Sequence, residues 1–286
     1  MMETAEARGL LFQAPSVSPL VCGSSHCPLF IGTSGYSYTE WSDCGFYPPG
    51  ARTVDMLGLY MRKFPAVELN YTWYQMPRAE AVARMLHNVP EDFCFAAKLT
   101  RTLTHERKED RGRQLQLFRQ GIKPLGKRLS AVLIQLPPDF DRTTANRYYL
   151  AELLDGLHGL PLAVEFRHVS WAVDAVFVEL ERRGITLVAV DAPAVPELFP
   201  FLDIVTNPDF FYLRFHGRNQ RAWYSSNMQK KFDYDYSTEE LQECVKGPIS
   251  AMARRCSRGI LFFNNHVRAQ APKNGAELQR ILKSYL

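Results

Sequence analysis

Pro161-Leu162-Ala163-Val164-Glu165-Phe166-Arg167-His168 is the stretch whose reading decides the fold. Proline ends whatever precedes it, a short apolar run suited to a strand follows, and the run finishes in charge. The same unit recurs outward in both directions. Short apolar runs at 30–34, 66–69, 93–98, 131–135, 162–165, 186–190, 210–215 and 259–263 alternate with amphipathic segments at 54–63, 78–87, 113–122, 145–157, 174–183, 238–255 and 276–285. Strands alternating with helical segments are the pattern of a parallel sheet with crossover helices. Eight of them predict a single (β/α)8 TIM-like barrel. The link around 196–201 is short and weakly helical, so one barrel helix is expected to be degenerate.

Several boundaries carry their own chemistry. In Ser237-Thr238-Glu239-Glu240 a hydroxyl can cap free N–H groups while the glutamates suit the helix dipole. Pro90, Pro161 and Gly184 interrupt the chain just before strands. Neither an internal repeat nor a Pro/Gly-rich linker divides the body, so residues 29–286 read as one domain. Residues 1–28, rich in Ser, Pro, Ala and Gly and without a sustained period, read as a flexible N-terminal extension. An open doubly wound sheet is the alternative, but neither GxGxxG nor GxxxxGK[ST] follows a first strand.

The 286 residues are 46% hydrophobic and 22% charged, an ordinary globular composition. The surplus of 34 Lys and Arg over 30 Asp and Glu, net +4, permits an anionic partner without demanding one. No apolar run reaches the ~18 residues of a membrane span. Glu3 and Glu6 precede any apolar stretch, and Pro15 and Pro19 interrupt it, unlike a secretory signal. The expected location is therefore cytoplasmic, and the six cysteines read as reduced thiols. Cys22, His26, Cys27 and Cys44 offer zinc-ligand types, but no CxxC pair is present. The sequence requires no cofactor.

The polar residues gather at strand ends, where barrel enzymes place their chemistry. The candidates are Ser34 and Tyr36 after the first strand, Glu68 and Asn70 at the second, Lys98 at the third and Gln135 at the fourth. The later strands add Glu165, Arg167 and His168; Asp191; Arg214, His216 and Arg218; and Asn264, Asn265 and His266. Side chains two apart share a face, which aligns Ala163, Glu165 and Arg167, Ala96 with Lys98, and Tyr212 with Arg214 and His216. Small inner residues would leave room for the long polar ones. The plainer reading is a plug of ion pairs, Glu165 with Arg214 or Glu68 with Lys98. The long segment 215–236 interleaves Arg218, Arg221, Lys230 and Lys231 with Trp223, Tyr224, Phe232, Tyr234 and Tyr236, either as a lid on its own aromatics or as a surface for nucleic acid. Thr104 and His105 lie in a charge-mixed run and are secondary candidates.

Five ordered blocks now stand out: Gly32-Thr33-Ser34-Gly35-Tyr36; Glu68-Leu69-Asn70-Tyr71-Thr72-Trp73-Tyr74; Glu165-Phe166-Arg167-His168 with Ser170-Trp171; Arg214-Phe215-His216-Gly217-Arg218; and Phe263-Asn264-Asn265-His266. Together they resemble the DUF72, or YecE-like, family over about residues 30–286. The resemblance implies a TIM-like barrel and supplies no catalytic residues, because the family's function is unknown. Its likeness to endonuclease IV-type barrels is one of fold. Tyr36 stands where Trp is common in the family, and Gln75 where a basic residue often follows the aromatic pair.

Three functions fit these residues. The first is an enzyme for a phosphorylated or nucleic-acid-related substrate, a possible hydrolase. Arg167, Arg214 and Arg218 would hold anionic oxygens, Glu165 or Glu68 would be the base, and His216 or His168 would shuttle a proton. Ser34, Tyr36, Asn70, Lys98, Gln135, Asp191, Asn264 and Asn265 would complete the substrate site. No HxH or HExxH spacing fixes a metal, and none is assigned. The second is a non-catalytic binding module for nucleic acid or a phosphorylated metabolite. The third is a glycosidase-like hydrolase using Glu68 and Glu165, for which three strands of separation is expected to be wide.

Overall fold

A computed structural model describes residues 17–21, 26–223 and 227–284. Its single sheet has nine strands: β1 (Leu20–Val21), β2 (Pro28–Ser34), β3 (Ala66–Leu69), β4 (Cys94–Lys98), β5 (Leu129–Gln135), β6 (Leu162–Glu165), β7 (Thr186–Asp191), β8 (Phe211–Phe215) and β9 (Gly259–Phe263). Strands β2 to β9 are parallel in chain order, and β9 pairs back onto β2 through Leu29↔Gly259 to Thr33↔Phe263, which closes the barrel. All eight expected strands are present, with ends shifted by at most two residues.

Beyond the expected elements, β1 pairs antiparallel with β2 through Leu20↔Leu29 and Val21↔Pro28. The pairing between β2 and β3 starts only at Gly32↔Ala66, so β1 covers the stretch of β2 edge that β3 leaves open. Part of the 1–28 segment is thus paired with the barrel, while residues 1–16 and 22–25 lie outside the described residues.

The crossover helices are Thr53–Met61, Ala79–Met85, Arg111–Ile122, Thr144–Gly156 and Asp174–Arg182. Between β7 and β8 no helix forms, as the weak 196–201 pattern predicts. The predicted helix 238–255 is interrupted: Thr238–Cys244 passes into a π-helical turn, Val245–Ile249, containing Pro248, and then into Ser250–Ala253. Proline lacks the N–H that the regular ladder needs, and the wider turn absorbs that loss. The start of that helix follows the sequence reading, with Ser237 Oγ accepting from Glu240 N at 3.2 Å and Glu240 Oε2 accepting from Ser237 N at 2.9 Å. The last helix, Gln270–Ser284, begins six residues before the predicted 276, because Pro272 is tolerated in a first turn.

Two apolar layers follow from strand alternation. The outer one lies between sheet and helices and includes Ile31, Val67, Phe95, Ile134, Val164, Leu213 and Phe263. The inner one fills the barrel with Ala66, Ala96, Ala131, Leu133, Ala163, Val188, Val190, Phe210, Tyr212, Ile260 and Phe262. Its alanines sit on β3 to β6 and its rings on β8 and β9. That imbalance leaves space above the alanines for long polar side chains from the next inward positions.

Gly32 belongs to this wall for a steric reason. A Cβ there would lie 2.0 Å from the Ala66 carbonyl oxygen and 2.9 Å from the Tyr60 hydroxyl.

Candidate functional site

Two residues above the inner alanines stand Glu68, Lys98 and Glu165 at the C-terminal ends of β3, β4 and β6. Arg214 reaches them from β8, two residues after Tyr212. Arg214 is 1% exposed and both glutamates are 0% exposed. Its Nε donates to Glu68 Oε2 at 2.9 Å, Nη2 to Glu68 Oε1 at 2.7 Å, and Nη1 to Glu165 Oε2 at 2.6 Å. Nη2 also reaches Ser34 Oγ at 3.3 Å, and Tyr212 donates to Glu68 Oε2 at 2.6 Å. One guanidinium therefore joins β2, β3 and β6 across the mouth.

Glu165 is shared, since Arg167 Nε donates to its other oxygen. Burial pushes the Glu165 carboxyl up, but Arg167 and Arg214 outweigh it and hold it well below the usual carboxylate range. Arg167 also meets His216, with Nη2 2.9 Å from the ring's Nε2. Burial, followed by these two guanidiniums, lowers His216 to about 3, so the ring is neutral at ordinary pH. Its Nδ1 lies 2.9 Å from the Asn264 amide nitrogen, while its Nε2 faces Arg167 and, at 3.4 Å, Glu165 Oε1.

Two carboxylates thus face two guanidiniums, and Lys98 is the remaining charge. Among the described residues the Lys98 amine has neither a hydrogen-bond nor an ion-pair partner, while the backbone carbonyl accepts from Thr72 Oγ1 at 2.6 Å. Its Nζ lies over the Trp73 ring, 5.0 Å from the centroid. Burial first, then Arg214, lower its ammonium to about 7, against the opposing pull of Glu68 and Glu165. His105 packs edge-on against the other side of this corner, 4.9 Å from Trp73, and burial and Lys98 lower it to about 4.

Ser34, Glu68, Lys98, Glu165, Arg167, Arg214, His216 and Asn264 therefore converge, and Gln135, paired in register with Glu165, turns its amide to the Leu136 carbonyl at 2.8 Å. Other candidates are placed elsewhere. Asp191 follows the inward-facing Val190 and so points outward, where it receives Arg218 at 2.7 Å and the Tyr236 hydroxyl at 2.7 Å. Arg218 also reaches Glu240 at 3.1 Å, so this network braces the loop after β8. Asn265 likewise braces it, donating to the Tyr234 carbonyl and to Asn274 Oδ1, each at 2.7 Å. His168 Nδ1 accepts from Ser170 N at 3.2 Å and caps a short turn. Asn70 lies beside the Tyr38 hydroxyl, and Tyr36 lines a cavity of about 640 Å³ between helices Thr53–Met61 and Ala79–Met85.

The plug pairing of Glu68 with Lys98 is replaced by Glu68 with Arg214. The separation expected between Glu68 and Glu165 is also corrected, because both bind one guanidinium. Tyr212 and Trp73 were not among the sequence candidates. Tyr212 was legible as the inward residue before Arg214, whereas nothing in the spacing placed the Trp73 ring under Lys98. In the long loop, Trp223 lies 5.8 Å from the Arg167 guanidinium and Phe232 5.7 Å from the His216 ring, while Tyr224 is outside the described residues. Of the cysteine cluster, Cys27 is buried, Cys44 is exposed and Cys22 is outside the described residues. No described helix is long and apolar enough to cross a membrane.

Fold and mouth together define a TIM-like barrel protein with a charged cluster built on its C-terminal strand ends. More particularly, the chain belongs to the family described as "Protein of unknown function DUF72", which matches residues 30–285. It is 27% identical to UPF0759 protein YunF of Bacillus subtilis (strain 168) over 272 residues, 89% of this chain and 94% of that protein. UPF0759 protein YecE of Escherichia coli (strain K12) is 26% identical over 62% of this chain and 64% of its own length. The crystal structure of a DUF72 family protein from Thermotoga maritima MSB8 superposes with a TM-score of 0.81 at 35% identity, covering 89% of this chain and 99% of the other. One from Enterococcus faecalis V583 gives 0.79 at 26%, covering 89% and 95%.

Proposed function

We propose that this chain is an enzyme acting on a small anionic substrate, phosphorylated or nucleic-acid-related, at the C-terminal mouth of the barrel, with Lys98 as the group that moves a proton. The observation that carries the reading is the unpaired Lys98 amine, lowered to about 7 beside two carboxylates that already have arginine partners. A general base works best with a pKa near the working pH. Glu165 stays ionised and His216 stays neutral across that range, so both suit orientation better than proton transfer. Arg167, with 11% of its side chain exposed, is the guanidinium that borders solvent and would meet the anionic group. A glycosidase needs one protonated carboxyl beside an ionised one, whereas Glu68 and Glu165 both accept from Arg214.

The test is a panel of sugar phosphates, nucleotides and short oligonucleotides followed by ³¹P and ¹H NMR with wild type and Lys98→Met. The reading expects turnover that rises with pH through about 7 and is lost in the variant. Turnover indifferent to Lys98 would overturn it. Binding that weakens steeply with salt, without any product, would favour the binding module.

A further inference from the structure

We propose that Lys98 acts as a nucleophile and forms an imine with a carbonyl carbon of its substrate, which narrows the substrate to small anionic aldehydes, ketones and oxo acids. This rests on the proposed function above and names the chemistry of the same site.

Lys98 closes β4 on the inward register, with Ala96 below it and Leu133 opposite it on β5. Its amine lies against the Trp73 ring and has no carboxylate partner among the described residues. A lysine serving only to neutralise the barrel would take Glu68 or Glu165, and Arg214 occupies both. A lysine serving only to hold an anion would gain from keeping its charge. Burial and the neighbouring guanidiniums favour the neutral amine instead, against the ring beneath it, which as a cation–π partner favours the charge.

The charged and titratable groups facing Lys98 are Glu68 on β3, Arg214 on β8, Glu165 and Arg167 at the end of β6, and His105 beyond β4. The carboxylates among them are consumed by arginine, and His105 is neutral, so nothing in the set returns the amine to a tight ion pair. Desolvation beside other cations is a recognised way of activating a lysine toward carbonyl carbon.

The step balances without a redox partner. The neutral amine attacks the carbonyl carbon, and a C–N bond forms as the C=O π bond opens to a carbinolamine. The C–O bond then breaks, and the oxygen leaves as water carrying the amine's two protons. An imine between Lys98 and the substrate carbon remains. Arg167 is positioned to receive the substrate's carboxylate or phosphate.

Reductive trapping on the full chain tests this. Pyridoxal 5′-phosphate, pyridoxal, pyruvate and glyoxylate are each incubated with the protein and cyanoborohydride, and modified lysines are mapped by mass spectrometry of peptides. Because an amine of pKa about 7 is mostly neutral near pH 7.5, Lys98 should be modified about 10-fold or more faster than exposed lysines such as Lys108. The phosphorylated probe should react faster than pyridoxal, and inorganic phosphate should slow it. The mapping is internal to the wild-type chain, so it stands even if a Lys98 variant folds poorly. Trapping of Lys98 no faster than the other lysines overturns the imine. If phosphate binding, followed by calorimetry, still depends on Arg167, the anionic-substrate reading survives that result; if it does not, both fall.

Discussion

Replacing Arg214 with methionine keeps much of the side-chain volume and removes the one cation shared by Glu68 and Glu165. Glu165 retains Arg167, whereas Glu68 keeps only the Tyr212 hydroxyl, so the penalty falls mainly on Glu68. Breaking a buried pair from one side costs about 3–5 kcal/mol. The expected loss is therefore ~4 kcal/mol at pH 7.

The sign with pH follows. In the wild type the depressed Glu165 contributes stability that is present above its unfolded value and lost as the pH falls toward its folded one. The variant keeps Arg167 beside Glu165 but loses Arg214, so less of that contribution remains to be lost, and the gap between the two proteins should narrow as the pH falls below the ordinary carboxylate value of about 4.3. Urea unfolding followed by tryptophan fluorescence at pH 3, 4 and 7 measures it. A gap under about 1 kcal/mol at pH 7, or one that does not change with pH, would refute this account of the hub.

Three further outcomes are expected. Lys98→Met should raise the melting temperature at pH 7: a lysine lowered to about 7 binds fewer protons folded than unfolded, so its penalty is full below 7, is relieved between 7 and about 10.4, and the variant's advantage fades over that window in calorimetry. His216, lowered to about 3, should show no imidazole titration by NMR between pH 5 and 8; because the unfolded ring takes its proton near 6.5, it subtracts stability as the pH falls from there toward 3. Gly32→Ala should destabilise by about 3 kcal/mol or more, or prevent folding, since the obstacle 2.0 Å away is the β3 backbone rather than a movable side chain; near-native unfolding midpoints would contradict the tight β2–β3 approach.

The barrel was legible because its eight strands are short buried runs, most of them set between amphipathic helices, a signal that survives without long-range information. Leu20–Val21 was not, since two residues carry no period. Nor was the π-turn, because Pro248 stands inside the expected helix 238–255 and a sequence does not say whether proline ends a helix or widens it. Within the site, alternation placed Glu165, Arg167, Arg214 and His216 on one face. It also separates Asp191 from them by a single residue, a distinction that needed the inward phase of β7. The state of Lys98 was out of reach, because Glu68 could have paired with Lys98 as readily as with Arg214. Only the position of the guanidinium decides which one remains alone.

The most direct measurement is an NMR titration of the lysine side chains in protein carrying ¹⁵N-labelled lysine, with Lys98→Arg used to assign the signal. One amine should change charge near pH 7, and its signal should vanish in the variant. If Lys98 instead titrates near the ordinary lysine value of about 10.4, the mouth holds an ordinary ammonium and neither proposed role for it stands.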